Sequence, residues 1–311
     1  MANASAVDFL EFLRCPRTNE PLVADADRLA TVSRNSSFRL TPSGIPLFAE
    51  QFCSEDARAQ QAHYDKVAND YLKNLQYPHT QEYMGYLDRE FLRVVGQESL
   101  GDVAEICCGR GEAFDLVKDR VRKGIGIDVS VSMLEAARCA HPEDNLLFVQ
   151  GDATQLPLAS EVFDSAFMLG GIHHVNDRQA LFNEISRILR PGGRFYWREP
   201  VSDFFLWEAL RAVIYKMSPA LDADTERPLL YEETVPPLQH AGFAVRTWET
   251  FGFLGYCILM NSDVLVFNRL FRYLPGVRGL TRFAARADHW ITTRRPLARS
   301  GLIVVGVAEK K

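Results

Sequence analysis

Acidic residues and a glycine-rich turn stand at the ends of three consecutive apolar runs in this 311-residue chain. The first run ends in the turn Cys107-Cys108-Gly109-Arg110-Gly111, the second ends at Asp128, and the third ends in Gly151-Asp152-Ala153. A glycine-rich turn lets a ligand approach the backbone, and a helix that follows it presents free N–H groups. A carboxylate after the second run can accept hydrogen bonds from ribose hydroxyls, and one after the third can accept a hydrogen bond from an adenine amino group. These residue types suit an adenosine-containing ligand.

Each of these signals also has a purely structural interpretation. Glycine-rich turns join many strands to helices, Asp128 or Ser130 can cap the following helix, and Asp152 can be a turn residue. The three signals nevertheless follow successive predicted strands, and the carboxyl ends of such strands form the edge where open α/β sheets bind ligands. Their coincidence favours a binding site at that edge.

The elements that position these residues follow from the rhythm of the chain beyond residue 102. Apolar strand-like runs alternate with helix-like segments, which predicts a doubly wound, mostly parallel α/β sheet with helices on both faces. The predicted strands are DVAEICC, KGIGIDV, NLLFVQGD, VFDSAFML, RFYWREP, AVRTWETFGF and GLIVVGVAEK, and the predicted core helices are GEAFDLVKDRV, SVSMLEAARCA and DRQALFNEISRIL. A turn, RPGG, is predicted before RFYWREP.

Three zones are predicted along the chain. Residues 1–50 are rich in turn formers and predict a small β-rich module. Residues 51–98 carry apolar residues at helical spacing, which predicts a helical lid. Residues 99–311 form the core, with helical cap insertions near 203–230 and 254–298.

A dinucleotide dehydrogenase is the obvious alternative for such a sheet. Its fingerprint requires G-x-G-x-x-G, but Cys107 and Glu112 occupy the first and last glycine positions here. Glutamate fits poorly where helix and strand must pack closely, and the fingerprint gives no role to Asp152.

Residues 100–200 resemble the class I S-adenosylmethionine-dependent methyltransferases, in particular the group of ubiquinone and menaquinone methylases. AEICCGRGEAF is similar to their LDLGCGTGxxL motif, GIDVSVSMLEAAR to GxDxSxxMLxxAR, and FVQGDATQLPL to xxGDAxxLPF. FDSAFMLGGIHHVND is similar to FDxVxxxxxLHHxxD, and RILRPGGRF to RVLKPGGxL. The five blocks occur in the family's order, so we expect this fold and activity.

This resemblance implies S-adenosyl-L-methionine as cofactor, S-adenosyl-L-homocysteine as product, and no metal ion. It implies that Asp128 holds the ribose, that Asp152 binds the adenine edge, and that Glu105, Cys107 and Gly109 line the methionine moiety. Cys107 stands where the family usually has glycine, and we expect its small side chain to be tolerated. The residues implied at the cofactor are Glu105, Cys107, Cys108, Gly109, Gly111, Asp128, Val129, Met133, Gly151, Asp152, Ala153, Leu169 and Gly170, with Tyr64 and Tyr71 from the lid.

Two segments upstream of the core carry their own resemblances. AHYDKVANDYLKN resembles the lid helix of many members, where Tyr64 and Tyr71 would close over cofactor and acceptor, although helix packing explains them equally well. FLRCPRTNEPL and LTPSGIPLFAE are similar to the CPxCxxPL and xxxGIPxLL patterns of the small zinc-ribbon-like partner proteins of tRNA and protein methyltransferases. Thr18 replaces the second cysteine and no second pair follows, so we expect a zinc-free module that packs on the core or forms a rim of the acceptor pocket.

Methyl transfer from a sulfonium requires alignment of donor and nucleophile and exclusion of water, and a hydroxyl or amine acceptor must also lose a proton. His173 and His174 follow the fourth core strand, on the side where this family faces the acceptor, and histidine titrates near neutral pH. Glu199 at the end of the fifth strand is a second candidate base. The alternative for the histidine pair is a packing role.

Composition restricts the remaining classes. The chain is 47% hydrophobic and 24% charged with a net charge of −5, which is typical of a globular protein and argues against a nucleic-acid partner. Its six cysteines contain no C-x-x-C pair, which argues against a zinc site or a disulfide framework. No run of about 18 apolar residues and no secretory n-region is present, so we expect a cytoplasmic protein.

The segment 264–299 is strongly basic, with eight arginines and one acid, Asp288. Helical spacing places Arg278, Arg282 and Arg286 in one row, and we expect the cap to pack on the core with this basic face in solvent. A membrane or lipid-like contact and recognition of an anionic acceptor are the alternatives. The predicted apolar faces are Val264, Phe267, Phe271 and Leu274, and then Leu280, Phe283, Ala284, Ala287, Trp290 and Ile291.

These observations predict a methyltransferase of a small apolar, aromatic or lipid-like acceptor, with oxygen favoured as the acceptor atom and carbon or nitrogen as alternatives. A tRNA or protein methyltransferase is the alternative suggested by the N-terminal resemblance, against which stand the net charge and the missing zinc ligands. A cofactor-binding subunit without catalysis is the third hypothesis, supported by Cys107 alone.

Overall fold

The computed structural model describes residues 5–58, 61, 75–207, 227–260 and 266–311. Within them, a small antiparallel sheet has the order β1-β2-β3, and a seven-stranded sheet has the order β6-β5-β4-β7-β8-β10-β9. The strands are β1 (Leu22–Asp25), β2 (Arg28–Thr31), β3 (Ser37–Arg39), β4 (Gly101–Ile106), β5 (Val121–Asp128), β6 (Leu146–Gln150), β7 (Phe163–Leu169), β8 (Leu189–Pro200), β9 (Phe243–Phe251) and β10 (Ile303–Lys310).

Seven α-helices and four 3₁₀ segments are described in full. The α-helices are α1 (Pro78–Val95), α2 (Glu112–Val117), α3 (Val131–Ala140), α4 (Arg178–Ile188), α5 (Tyr231–His240), α6 (Leu254–Leu259) and α7 (Val277–Thr292). The 3₁₀ segments are Ala6–Phe9, Lys118–Arg120, Ile172–His174 and Val266–Tyr273.

The large sheet confirms the predicted doubly wound, mostly parallel fold. Its strands β6, β5, β4, β7 and β8 are parallel, and β10 runs antiparallel to both neighbours, β8 and β9. The strand order reverses between β4 and β7, which is the switch point where open α/β sheets form a ligand crevice.

Alternate residues of each central strand enter opposite cores, as a sheet covered on both faces requires. Ala104 and Ile106 of β4 lie in a core with α4, α5 and the N-terminal module, whereas Val103 faces a core with α1, α2, α3 and α7. The part of the predicted helical region that directly precedes β4 contains α1, whose buried face includes Tyr83 and Phe91.

Two predicted boundaries differ from the structure. The helix predicted to reach residue 121 ends at Val117, because a 3₁₀ turn follows and β5 already begins at Val121. The predicted RPGG turn lies inside β8, where the pairing with β7 shifts register between Phe163 and Ser165 and Gly192 adopts a φ of 77°. The segment is therefore a bulge that continues the strand.

The N-terminal module covers the edge strand β6 and the connection from β6 to β7. Leu47 pairs in parallel with Gln150 of β6, and Leu13 bridges to Leu158. The backbone N–H of Arg14 donates to the Pro157 carbonyl at 2.9 Å. The connection 151–162 contains no helix, so the module covers the face that a crossover helix would otherwise occupy.

The face of α7 that packs on the protein differs from the predicted one. Its buried residues are Val277, Thr281, Ala285, Asp288 and Thr292, whereas Leu280, Phe283 and Trp290 are exposed. The cause is close contact with α6: a Cβ at Gly255 would meet the Ala284 Cβ at 2.9 Å, so only small side chains fit this contact.

Among the described residues, no helix combines the length and apolarity needed to span a bilayer. The same residues contain no group of three or more His, Cys, Asp and Glu side chains arranged for a metal ion.

Candidate cofactor and active site

A cavity opens at the carboxyl edge of the large sheet, where β4, β5, β6 and β7 end. Most of the residues that sequence analysis assigned to the cofactor line it together. They are Cys107, Cys108, Gly109, Asp128, Val129, Met133, Gly151, Asp152, Ala153, Leu169 and Gly170. Tyr64 and Tyr71 lie outside the described residues.

The turn after β4 brings the backbone to the cavity through three left-handed residues. Cys107, Gly109 and Gly111 have φ values of 52°, 53° and 85°. Asp128 at the end of β5 fixes this turn, because its Oδ2 accepts a hydrogen bond from the Gly109 N–H at 2.8 Å and its Oδ1 accepts one from Ser130 at 2.9 Å. The Ser130 hydroxyl caps α3, so the cap proposed as an alternative role for Asp128 is provided by its neighbour.

Asp152 joins the cavity floor to Ser54, at the start of the predicted helical lid. Its Oδ2 accepts the Ser54 N–H at 2.7 Å, and its Oδ1 accepts the Thr154 N–H at 2.8 Å and hydroxyl at 2.7 Å. Burial alone would raise the pKa of this carboxyl, but the hydrogen bonds from Ser54 and Thr154 hold the pKa below its usual value. Asp152 is therefore an anion that is already anchored in place.

Two residues assigned to the cofactor do not line the cavity. Glu105 is fully buried behind the turn, and its carboxylate accepts the Ala113 N–H at 2.7 Å and the Phe114 N–H at 3.2 Å. Burial raises the pKa of Glu105 well above its usual value. Gly111 caps α2 and has no room for a side chain, because a Cβ there would lie 2.8 Å from the His141 ring. Both residues shape the turn from behind.

Several lining residues were not singled out from the sequence as cofactor contacts. Glu112 lines the cavity, and its pKa is raised by burial even though Arg198 and Arg110 lower it. The others are Ser54, Asp56, Ala57, Ile127, Thr154, Gly171, His174 and Val175. Ser54 could have been found from the sequence as a helix-capping serine. In the structure its hydroxyl accepts the Ala57 N–H at 3.2 Å at the start of a helix.

The structure separates the three predicted catalytic residues into two positions. His174 lines the cavity, whereas the Glu199 carboxylate is fully buried and accepts the N–H groups of Gly171 at 2.7 Å and Ile172 at 2.9 Å. Glu199 Oε2 also lies 2.8 Å from His173 Nδ1. Since its oxygens are occupied inside the protein, Glu199 holds the histidine loop and is not placed to take a proton from an acceptor. The ring centroids of His173 and His174 are 3.8 Å apart, so the His173 ring packs directly against the His174 ring.

The chain is similar to known methyltransferases over its core. A sequence profile described as a methyltransferase domain matches residues 104–197. The ubiquinone/menaquinone biosynthesis C-methyltransferase UbiE of Campylobacter jejuni is 31% identical over 175 residues, which cover 49% of this chain and 74% of that protein. The chain belongs to the class I S-adenosylmethionine-dependent methyltransferases of the ubiquinone/menaquinone methylase group.

Other methyltransferases match over shorter lengths. A demethylmenaquinone methyltransferase of Lactococcus lactis is 32% identical over 36% of this chain and 48% of its own length. An O-methyltransferase of Pyrenophora dematioidea is 36% identical over 32% of this chain and 40% of its own length. The chain therefore spans less than half of the length of these two relatives.

Solved structures share the methyltransferase fold. The [4+2]-cyclase SpnF superposes with a TM-score of 0.55 at 19% identity, over 82% of this chain and 96% of that chain. A Haloferax volcanii complex of the Trm112 methyltransferase activator with a methyltransferase gives a TM-score of 0.51 at 19% identity, over 82% and 96% of the two chains. At such identities the likeness establishes the fold alone.

The cavity fits the cofactor of this methyltransferase family. Four carboxylates line it, from Asp56, Glu112, Asp128 and Asp152, and no lysine or arginine is present among the described lining residues. A negative cavity attracts a ligand that carries a sulfonium and an ammonium group and repels the pyrophosphate of a dinucleotide. The charge of the site thus argues against the dehydrogenase alternative.

Proposed function

We propose that this protein methylates a small, apolar hydroxy-aromatic or lipid-like acceptor with S-adenosyl-L-methionine as the methyl donor. The observation that carries the proposal is the juxtaposition of an anionic cofactor cavity with an imidazole, His174, on its wall. Support comes from relatives that are named as quinone C-methyltransferases and as an O-methyltransferase.

The residues divide into binding and positioning roles. Asp128 and Asp152 accept hydrogen bonds at the carboxyl ends of β5 and β6, which is where the ribose and adenine of the donor would lie. Gly109 and Gly170 line the cavity with φ values of 53° and 74° that favour glycine, and their backbone would lie against the methionine end of the donor. Ser54, at the start of the predicted lid, lines the cavity beside Asp152, where it would limit the access of water.

S-adenosyl-L-methionine supplies an activated methyl group for in-line displacement, leaving S-adenosyl-L-homocysteine. His174, on the cavity wall, would accept the proton that the acceptor loses as its new bond to the methyl carbon forms. A phenolic oxygen would react directly as its proton passes to the base. A ring carbon beside the ionised hydroxyl would react to give a dienone, which then loses the hydrogen of that carbon as the hydroxyl is protonated again, so each outcome releases one proton in total. Oxygen remains our first choice of acceptor atom.

A tritium-transfer assay with demethylquinols and simple phenols tests this proposal. For His174→Gln we expect kcat/KM to fall roughly 10²–10⁴-fold, since the general base is lost. The affinity for the cofactor, measured by calorimetry, should change less than about threefold, because Asp128 and Asp152, which we propose hold the ribose and adenine, are unchanged. His240→Gln is the matched control, because His240 is exposed on α5, and it should retain full activity.

Three results would contradict the proposal. Full turnover by the His174→Gln enzyme would show that His174 is not the general base. Tight cofactor binding without methylation of any acceptor class would favour a non-catalytic subunit. Methylation of tRNA, with binding that weakens steeply as salt rises, would favour the nucleic-acid alternative.

A further inference from the structure

The segment between β9 and β10 presents large apolar side chains to solvent. On α7 the exposed fractions are 54% for Leu280, 71% for Phe283 and 58% for Trp290. The 3₁₀ segment before α7 adds Leu270 at 64% and Tyr273 at 69%. Scattered apolar residues are normal on a protein surface, but a contiguous group of this kind marks an interaction site. We name Leu280, Phe283 and Trp290 the apolar stripe.

Helical geometry gives α7 three separate faces. With 100° per residue, Val277, Thr281, Ala285, Asp288 and Thr292 form the buried face. Arg278, Arg282 and Arg286 follow at four-residue spacing beside it, and we name them the arginine row. The apolar stripe occupies the remaining sector, next to the arginine row and away from the buried face. Packing on the protein therefore uses a face that contains none of the largest apolar side chains.

The charge of this surface is positive. Asp288 is the only acid between residues 266 and 299, and it is 98% buried. Its carboxylate accepts the Tyr83 hydroxyl at 2.5 Å and the N–H groups of Phe253, Gly255 and Tyr256. Within the described part of the chain, Arg282 lies 3.8 Å from Glu82, and no other member of the arginine row has a carboxylate within 4.0 Å. Arg278, which donates to the Gln81 amide oxygen at 3.4 Å, and Arg286 thus have no carboxylate partner among the described residues.

The topology places this surface at the cavity edge of the sheet. Ile303, the first residue of β10, pairs with Pro200 at the carboxyl end of β8 and with Phe251 at the carboxyl end of β9. The segment 252–302 therefore leaves and re-enters the sheet at the edge that carries the cofactor cavity. The stripe therefore belongs to a segment that begins and ends at the same sheet edge as the cavity.

We propose that the apolar stripe and the arginine row dock the protein on an anionic phospholipid surface. The stripe would lie at the boundary between headgroups and acyl chains, where tryptophan and tyrosine are favoured, and the arginine row would contact the phosphates. A lipid surface fits better than a second copy of the chain, because a self-association of this face would bring two arginine rows together. The docking does not depend on which acceptor is methylated.

Vesicle flotation tests the docking. The wild-type chain should float with phosphatidylcholine vesicles that contain about 30% phosphatidylglycerol, and much less with phosphatidylcholine alone or at high salt. The variant Leu280→Ser/Phe283→Ser/Trp290→Ser should no longer float. The variant Arg278→Gln/Arg286→Gln should bind the anionic vesicles on the order of tenfold more weakly, because two attractive charges are removed.

Tryptophan emission gives an independent readout. Of the four tryptophans Trp290 is the most exposed, while Trp197 and Trp207 are buried, so insertion should shift the emission to the blue. Trp290→Phe should lose the shift and keep most of the flotation. Val7→Ser/Val32→Ser is the matched control, because these residues are 53% and 60% exposed on the N-terminal module, and it should bind like wild type.

The proposal is overturned if the wild-type chain fails to float, or if the stripe variant floats as well as wild type. It is also overturned if light scattering shows a dimer that the stripe variant dissociates and that does not bind vesicles. Methyl transfer to a water-soluble acceptor, measured for the same variants, should remain near the wild-type rate, so that a failure of docking and a failure of the proposed activity can be told apart.

Discussion

Cys107 adopts a backbone conformation that costs energy for any residue with a side chain. Its φ of 52° lies in the left-handed region, where a non-glycine residue is destabilised by roughly 1 kcal/mol or more. Its Cβ also closes the space beside Gly171, at which an added Cβ would approach to 2.7 Å. The site accepts this strain because Cys107 is small and unbranched.

The effect of a substitution at Cys107 on the free energy of unfolding should therefore depend on how readily the new residue adopts a left-handed backbone conformation. Cys107→Gly should leave cofactor affinity within about threefold and raise the free energy of unfolding by up to ~1 kcal/mol, whereas Cys107→Val should lower it by ~2 kcal/mol or more. Urea unfolding and calorimetry measure both. Cys139→Gly, near the end of α3, should instead be destabilising by ~0.3 kcal/mol. If Cys107→Gly proves as harmful as Cys139→Gly, the strain argument fails.

Asp152 should give the protein a pH-dependent stabilisation. Because its folded pKa lies below the usual 3.8, folding favours the ionised form. The contribution is complete above about pH 5 and is lost as the pH falls through 3.8 toward the folded pKa. Asp152→Asn should lower the free energy of unfolding by ~1–3 kcal/mol at pH 7, and the difference from wild type should shrink below about pH 4.

Denaturant titrations of Asp152→Asn and wild type at several pH values measure this difference. Asp144→Asn is the control, since Asp144 is a carboxylate that precedes the same strand, β6. If the difference in free energy of unfolding between Asp152→Asn and wild type stays constant down to about pH 3, the lowered folded pKa of Asp152 is contradicted.

At the scale of elements, α1 contains a buried histidine, His79, that should lower the stability of the folded protein as the pH falls. His79 is fully buried between Tyr77 and Phe271, at ring-centroid distances of 5.8 and 6.0 Å. Its two ring nitrogens find no hydrogen-bond partner among the described residues. Burial lowers the pKa of His79 below its usual 6.5, so the unfolded chain takes up a proton more readily than the folded one.

Replacing His79 should remove part of the acid sensitivity. Below pH 6.5 the wild-type free energy of unfolding should fall by up to ~1.4 kcal/mol per pH unit from this group alone. His79→Phe keeps the ring packing and leaves no unpaired nitrogen, so its stability should equal or exceed that of wild type and change less between about pH 7.5 and pH 5.5. Equal pH dependence of the two proteins in urea titrations would refute the effect.

At the scale of the whole molecule, the N-terminal module is part of one folding unit with the sheet. It covers the edge of β6, whose unpaired backbone groups would otherwise invite association with other chains. Leu13 is fully buried, and its cluster of apolar residues continues through β4 and β7. Ser54, which follows the module directly, reaches Asp152, so the cofactor cavity depends on how the module is placed.

This coupling predicts one thermal transition for module and core together. Leu13→Ala should lower the free energy of unfolding by ~2–5 kcal/mol and shift that single transition as a whole. Scanning calorimetry would show two separate transitions if the module folded independently. Val23→Ala, at a position 36% exposed on β1, should shift the transition much less.

Much of the fold and of the cofactor cavity is determined by local sequence. The alternation of strands and helices and the glycine and aspartate residues at the strand ends are local patterns, and a parallel sheet brings the carboxyl ends of its strands to one edge. The amino-acid sequence alone therefore suffices to predict that Asp128 and Asp152 lie at the same edge of the sheet.

Only the tertiary structure decided which carboxylates reach the cavity and which face of α7 is buried, because both depend on residues that are distant in sequence. Glu105 and Glu199 carry the same carboxylate as Asp128, but they are fully buried and bound to backbone N–H groups of other segments, whereas Asp128 lines the cavity. Glu112 reaches the cavity because α2 begins beside it. The apolar residues of α7 predicted an inward face, yet close contact with Gly255 admits only small side chains there. Helical periodicity specifies which residues share a face, and the space left by neighbouring elements specifies which face is buried.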